Sequence, residues 1–312
     1  MKFIKSVPMA ICGLALAFAA LGNLLRPYGE TLHDFCGVLL IIILLLFALK
    51  LIFDFPQVRE ELKTPVPLSA LPTSTMALML LCTYLQPYLG LIAISIWYAA
   101  VIAHLSIVIL FIKRFISGFK LDTVFPTWFV AFVGIVTVSV TAPIMNAIII
   151  GQTAFYIGFI LYFVTLALVA YRMMKVKIFP EPARPTIAIL TAPMSLCVVG
   201  YFSSFQEQNS IFVYVMLAIA AISYIYVSIK MVSLLKIKFY PTYASFTFPY
   251  VISATAFRLG AVFLAGHGLH FFVVVADITM WIAILIVIYV SAHYINFFRQ
   301  RVSFLSRHSE SS

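Results

Sequence analysis

The chain has 312 residues, of which 64% are hydrophobic and 10% charged, with a formal charge of +10. Apolar stretches of 18 residues or more recur along its whole length, which excludes a soluble domain and predicts an all-α, multispanning membrane protein. Whether the positive charge marks nucleic acid, an acidic substrate or membrane topology depends on where it falls.

In chain order, hydropathy with charge and proline as loop markers predicts ten spans, over 8–25, 35–53, 66–86, 89–112, 125–148, 151–173, 186–205, 209–232, 243–264 and 270–297. Lys2 and Lys5 precede an apolar run containing "AFA" at 17–19, a pattern compatible with a signal peptide. Cleavage would remove the first of the repeats described below, so this run is expected to remain as a span. The even-numbered spans are dense in Leu, Ile, Val and Phe ("GVLLIIILLLFALKLIF", "LAIAAISYIYV"), as lipid-facing helices should be. Odd-numbered spans carry more small and hydroxyl residues, as in "PTSTMA" at 72–77, "TVSVTAP" at 137–143 and "VISATA" at 251–256. Such residues permit close helix contact or face a wet interior. The four cysteines, Cys12, Cys36, Cys82 and Cys197, lie in apolar segments without paired spacing and read as small core residues.

Of the 20 Lys and Arg residues, all but Arg26 and Arg258 fall at the N-terminus, at the loops after even-numbered spans or at the C-terminus; Lys113, Arg114, Lys175, Lys177 and Lys236 are examples. The positive-inside rule then puts both termini in the cytoplasm, and the charge is a topology signal rather than a nucleic-acid footprint.

The odd spans open alike: "VPMAICGLALAF" from Val7, "VPLSALPTSTMA" from Val66, "FPTWFVAFVGIV" from Phe125, "RPTIAILTAPMS" from Arg184 and "YPTYASFTFPYV" from Tyr240. Their leading prolines Pro8, Pro67, Pro126, Pro185 and Pro241 are spaced 59, 59, 59 and 56 residues apart. A constant period across the chain means a repeated unit, here a two-helix hairpin with Pro at the first helical turn. Five such units of one orientation predict an inner ring of odd helices around a central pore and an outer ring of even helices. Mid-span breaks are expected at Pro72, Pro193 and Pro249, with Gly13 and Gly134 at comparable depth in the other two odd spans, because proline removes a backbone bond and clashes with the preceding turn.

The ten-helix pattern, the five proline-led odd spans and the "SFTFPYVISATAF" segment resemble the tellurite-resistance/dicarboxylate transporter (TDT) family, which includes bacterial TehA and the plant slow anion channels. The likeness covers roughly residues 6–298, and Thr247, Phe248 and Pro249 carry its most specific motif. It implies a bacterial inner-membrane homotrimer in which each protomer holds its own pore, lined by odd helices and occluded by a phenylalanine on the ninth. By the motif that residue is Phe248, held across the path by the bend at Pro249; Phe246, two residues away, does not share its face. The expected organisation is one membrane domain over 1–298 and a cytoplasmic tail over 299–312.

Arg26 and Arg258 lie 18 and 17 residues beyond their leading prolines, about 26 Å along the helix, where they would draw anions to the outer mouth. The competing reading is interfacial snorkelling, or a structural pair of Arg258 with Asp277. His104 and Asp277 sit on even spans, which disfavours a pore role, but either is a candidate proton site in a coupled transporter. No phosphate loop, metalloprotease motif, nucleophile elbow or paired carboxylates are present, so no catalytic residue, metal or cofactor is expected. The function expected is an anion channel or facilitator for small inorganic or organic anions; the alternative is a proton-coupled dicarboxylate carrier or an exporter of sulfite or tellurite.

Overall fold

The computed structural model describes residues 2–176 and 179–307, so Lys177 and the end of the tail lie outside the described residues. Ten helices are numbered here in chain order. They are α1 (Ile11–Leu25), α2 (Glu30–Phe53), α3 (Pro72–Leu89), α4 (Leu91–Phe111), α5 (Val136–Thr141), α6 (Ile148–Lys175), α7 (Ala192–Ser204), α8 (Ser210–Leu234), α9 (Thr247–Ala265) and α10 (Phe271–Arg307). The last runs through the first residues expected to form the tail.

Nine stretches are long and apolar enough to cross a membrane, among the described residues; the predicted fifth span does not form a continuous helix. It is split into Trp128–Phe132 and α5 by a turn at Gly134, and it ends at Pro143, after which Asn146 adopts a positive φ of 55°. Its composition explains the break. Val and Thr at 136–141 give poor helix propensity, and a Cβ at Gly134 would strike the Val130 carbonyl oxygen and approach Met76 Sδ to 2.9 Å. The segment is nonetheless almost entirely buried, from Phe125 and Trp128 to Thr141 and Ala142, and its backbone bonds close locally across the turn, Val136, Thr137 and Val138 donating to the carbonyls of Val133, Gly134 and Ile135, while Ser204 on α7 donates to the Ser139 carbonyl.

Each odd helix packs against the even helix that follows it, and the odd helices also contact one another in the cycle α1, α3, α5, α7, α9 and back to α1. A closed five-membered inner ring results. Buried positions make up 56% to 78% of the odd spans' apolar windows but only 22% to 33% of the even ones, which puts the even helices outside. Their exposed side chains, among them Leu45, Ile102, Ile160, Ile222 and Leu285, form the surface that hydrocarbon would cover.

Hydrogen bonds cross every interface of the inner ring. Tyr84 OH donates to the Ala19 carbonyl at 2.7 Å, and Ser69 Oγ to Thr127 Oγ1 at 2.6 Å. Ser139 Oγ donates to the Gly200 carbonyl at 3.0 Å, the Ser195 and Ser253 hydroxyls meet at 3.0 Å, and Thr247 Oγ1 donates to the Gly13 carbonyl at 3.3 Å. Small side chains make the Ser and Thr bonds possible, because they let backbones approach within reach of a one-carbon hydroxyl arm; Tyr84 bridges a wider gap with its ring.

Candidate permeation site

The inner ring encloses a cavity of about 300 Å³ whose lining comes from all five odd segments. It starts at the leading residues Pro8, Pro67, Thr127, Thr186 and Pro241, at the end of the molecule where the basic loops cluster. Thr73, Thr127, Thr186, Thr242 and Ser245 punctuate a wall that is apolar apart from them and from Glu61 at the mouth. The lining residues farthest along their segments are Leu16, Met76, Gly134, Leu196 and the pair Phe248–Pro249, so the cavity stops part-way along each odd span at an apolar ring.

Local backbone chemistry positions that ring. In the seventh and ninth segments a 3₁₀ stretch, Glu181–Thr191 and Pro241–Phe246, precedes the α-helix. The α-helical part then begins with its proline in the first turn: Pro193 is the second residue of α7 and Pro249 the third of α9. At such positions the missing N–H had no intrahelical partner, so proline terminates the 3₁₀ stretch without leaving an orphan carbonyl within α7 or α9. Pro72 likewise opens α3 after the short helix Pro65–Ala70. The breaks therefore occur at the expected depth, but as junctions between helical pieces rather than bends within one α-helix.

Phe248 lines the cavity and is 7% exposed. Both flanks are tied down. Thr247 Oγ1 donates to the Ala244 carbonyl at 2.7 Å and reaches Gly13 on α1, while the Pro249 carbonyl accepts from Ser253 Oγ at 2.8 Å, and that hydroxyl also reaches Thr191 in the seventh segment at 3.1 Å. Phe246 is fully buried against Tyr243, ring centroids 4.7 Å apart, and takes no part in the lining. Gly13, Gly134, Pro193 and Pro249 all border the cavity; Pro72 does not, although its neighbours Leu71 and Thr73 do. At Gly13 the reason for glycine is close approach, since an added Cβ would sit 3.2 Å from Ala244 Cβ.

The outer arginines are not free cations. Arg26 pairs with Glu30 at 3.0 Å, and Arg258 forms an ion pair with Asp277 on α10 while its guanidinium lies 5.8 Å from the Tyr28 ring centroid. The last contact brings Arg258 close to the end of α1, as neighbourhood of the first and ninth helices requires. His104 is fully buried on α4, with Nδ1 2.9 Å from the Thr75 hydroxyl, and it does not line the cavity.

Two features escaped the sequence reading. The hydroxyl that follows proline in "PT" at 126–127, 185–186 and 241–242 recurs as a lining element, and its repetition was a usable signal. Glu61 also lines the cavity mouth; as one of three acids in a charged loop, with Asp54 and Glu60, it had no signal of its own.

A closed ring of five hydroxyl-dotted segments around an internal cavity, sheathed by helices with apolar outer faces, defines a multispanning membrane transport protein. The family model described as voltage-dependent anion channel (SLAC1) matches residues 4–295, and the chain belongs to that family. No curated protein matches the chain significantly. Family membership over nearly the whole chain makes this a membrane protein of anion transport and not an enzyme.

Proposed function

We propose that the cavity is the cytoplasmic half of an anion path through a single protomer and that Phe248 is the plug that closes it. The observation that carries this reading is the position of the Phe248 side chain in the apolar ring at the inner limit of a cavity to which all five odd segments contribute. A phenyl ring in so narrow a passage obstructs sterically and offers no group to replace an ion's lost hydration. Below it, Thr127 Oγ1 accepts from Ser69 and so has its own proton left for an anion, whereas Thr73, Thr186 and Thr242 donate theirs to backbone carbonyls, so contacts stay weak and permit exit as well as entry. The basic loops support cytoplasmic termini, and the resemblance supports a bacterial inner membrane, a homotrimer and a single membrane domain over 1–298 with the tail over 299–312.

Recording from purified protein in a planar bilayer tests the reading. Phe248→Ala should raise anion current greatly at unchanged insertion; an inserted Phe248→Ala protein without added current would refute the plug. The second reading, a proton-coupled carrier, draws on His104, whose buried ring lies beside the cavity residue Gly134. It requires transport to fail without a proton gradient, whereas a channel conducts regardless.

A further inference from the structure

Among the described residues, Glu61 is the one charged side chain that lines the cavity. A fixed carboxylate there repels the ions an anion path admits, unless a cation balances it. Lys50 does so. Its Nζ is 3.2 Å from Glu61 Oε1 and 4.0 Å from Asp54 Oδ2, and its side chain is only 2% exposed. Lys50 occupies the last turn of α2 and Glu61 ends the short helix Phe55–Glu61, so the chain folds back to bring them together. A second, polar cavity of about 530 Å³ adjoins the first at Pro8, Glu61 and Pro241; Lys50, Asp54 and the exposed Lys5 and Arg301 line it too.

We infer that Glu61 is a tethered anion: its carboxylate occupies, on Lys50, the place that a small anion takes at the entrance to the path. Lys50 is then an anion-binding residue and Glu61 its built-in competitor. This rests on the anion-path reading above. Three arguments support it. Glu61 is the more accessible of the two acids, with its side chain 28% exposed against 12% for Asp54, so it is the one free to swing aside. Asp54 stays beside the ammonium when it does, so the buried Lys50 is never left unpaired, which would be costly. An incoming halide or small oxyanion replaces the carboxylate charge for charge, and Lys5 and Arg301 at the rim raise its local concentration.

The test uses full-length protein in the Phe248→Ala background, with chloride titrated separately on the two faces of a bilayer. Glu61→Gln should lower the half-saturating chloride concentration on the face bearing Lys50 by about fivefold or more, about fivefold being the scale of removing one unit charge at contact distance in water, which burial of Lys50 can only increase. Lys50→Gln should raise it on that face, Lys50→Arg should preserve it, and titration from the opposite face should not respond to any of the three. Glu61→Gln leaves Asp54 on Lys50 and so keeps the cation paired; it decides the matter alone should Lys50→Gln not run as a folded particle. Chloride current with an unchanged half-saturation in Glu61→Gln overturns the inference, as does an equal change on both faces. Absence of current in the Phe248→Ala parent instead overturns the anion-path reading on which it rests.

Discussion

Phe246 and Phe248 are separated by one residue, yet one is core and the other borders the cavity, and the difference makes them a matched pair for experiment. Phe248→Leu should give a current between those of the parent and Phe248→Ala, because a smaller apolar side chain still dewets the constriction. Phe246→Ala should leave the current low while lowering thermal stability, since truncating a fully buried Phe costs on the order of 3–5 kcal/mol in a packed core; a thermal scan by size-exclusion chromatography reads the loss. A second residue-scale prediction concerns Arg258 and Asp277, whose side chains are 36% and 45% exposed. A pair so exposed stabilises by about 0–1 kcal/mol, so Asp277→Asn should fold normally and unmask the Arg258 charge. Anion current should rise in Asp277→Asn and fall in Arg258→Gln, with both effects shrinking at high salt, where screening shortens the reach of exposed charge. Equal losses of folded protein in the two variants would make the pair purely structural.

At the scale of elements, the junction between helical pieces recurs and the means of making it differ. Pro72, Pro193 and Pro249 each stand in the first turn of the α-helix that follows a short lead, whereas Gly134 occupies the turn itself. At Gly134 the constraint is space. Gly134→Ala puts a methyl against the Val130 carbonyl and the Met76 sulfur, and Val130, Met76 and Gly134 all border the cavity. Overpacking of this kind costs about 1–3 kcal/mol, so the thermal midpoint should fall and residual current should change with it. The Ser195–Ser253 contact is the counter-case: interhelical hydroxyl bonds in membranes contribute about 0.6 kcal/mol on average, so Ser195→Ala should shift the midpoint little.

For the whole molecule, the two-ring arrangement makes a prediction that all four native cysteines help to test, since each is buried and gives little background. Single cysteines at the cavity positions Ala70, Ala192 and Ser245 should react with a hydrophilic thiol reagent added on the side of the basic loops. Cysteines at Leu45, Ile102 and Ile222 on the outer faces should react only with a membrane-soluble one. A reversed pattern would refute the ring order.

The ring order, the hairpin unit and the lipid face were legible in the chain because each depends on one-dimensional information. The 59-residue spacing of leading prolines, the contrast between odd and even spans and the placement of Lys and Arg need no knowledge of packing. A phenylalanine bordering the cavity was legible through the motif at 247–249, and the junctions through Pro72, Pro193, Pro249 and Gly134; Gly13 lies inside the continuous α1 and marks a close approach instead of a break. What only the tertiary structure decided are matters of side-chain direction and long-range pairing. The Pro241–Phe246 stretch is 3₁₀, turning about 120° per residue instead of about 100°, so six residues shift the helical phase by roughly a third of a turn, and no α-helical wheel drawn from Pro241 can say which phenylalanine meets the cavity. The fifth segment reads as one apolar span because hydropathy is blind to the steric demand at Gly134, which the Val130 carbonyl of its own turn imposes together with Met76 and His104 on other helices. Lys50, Asp54 and Glu61 look like an ordinary charged loop. Only the fold carries Glu61 to the cavity wall and buries Lys50 behind it, because burial and Coulomb coupling depend on distance in space, which sequence separation does not set.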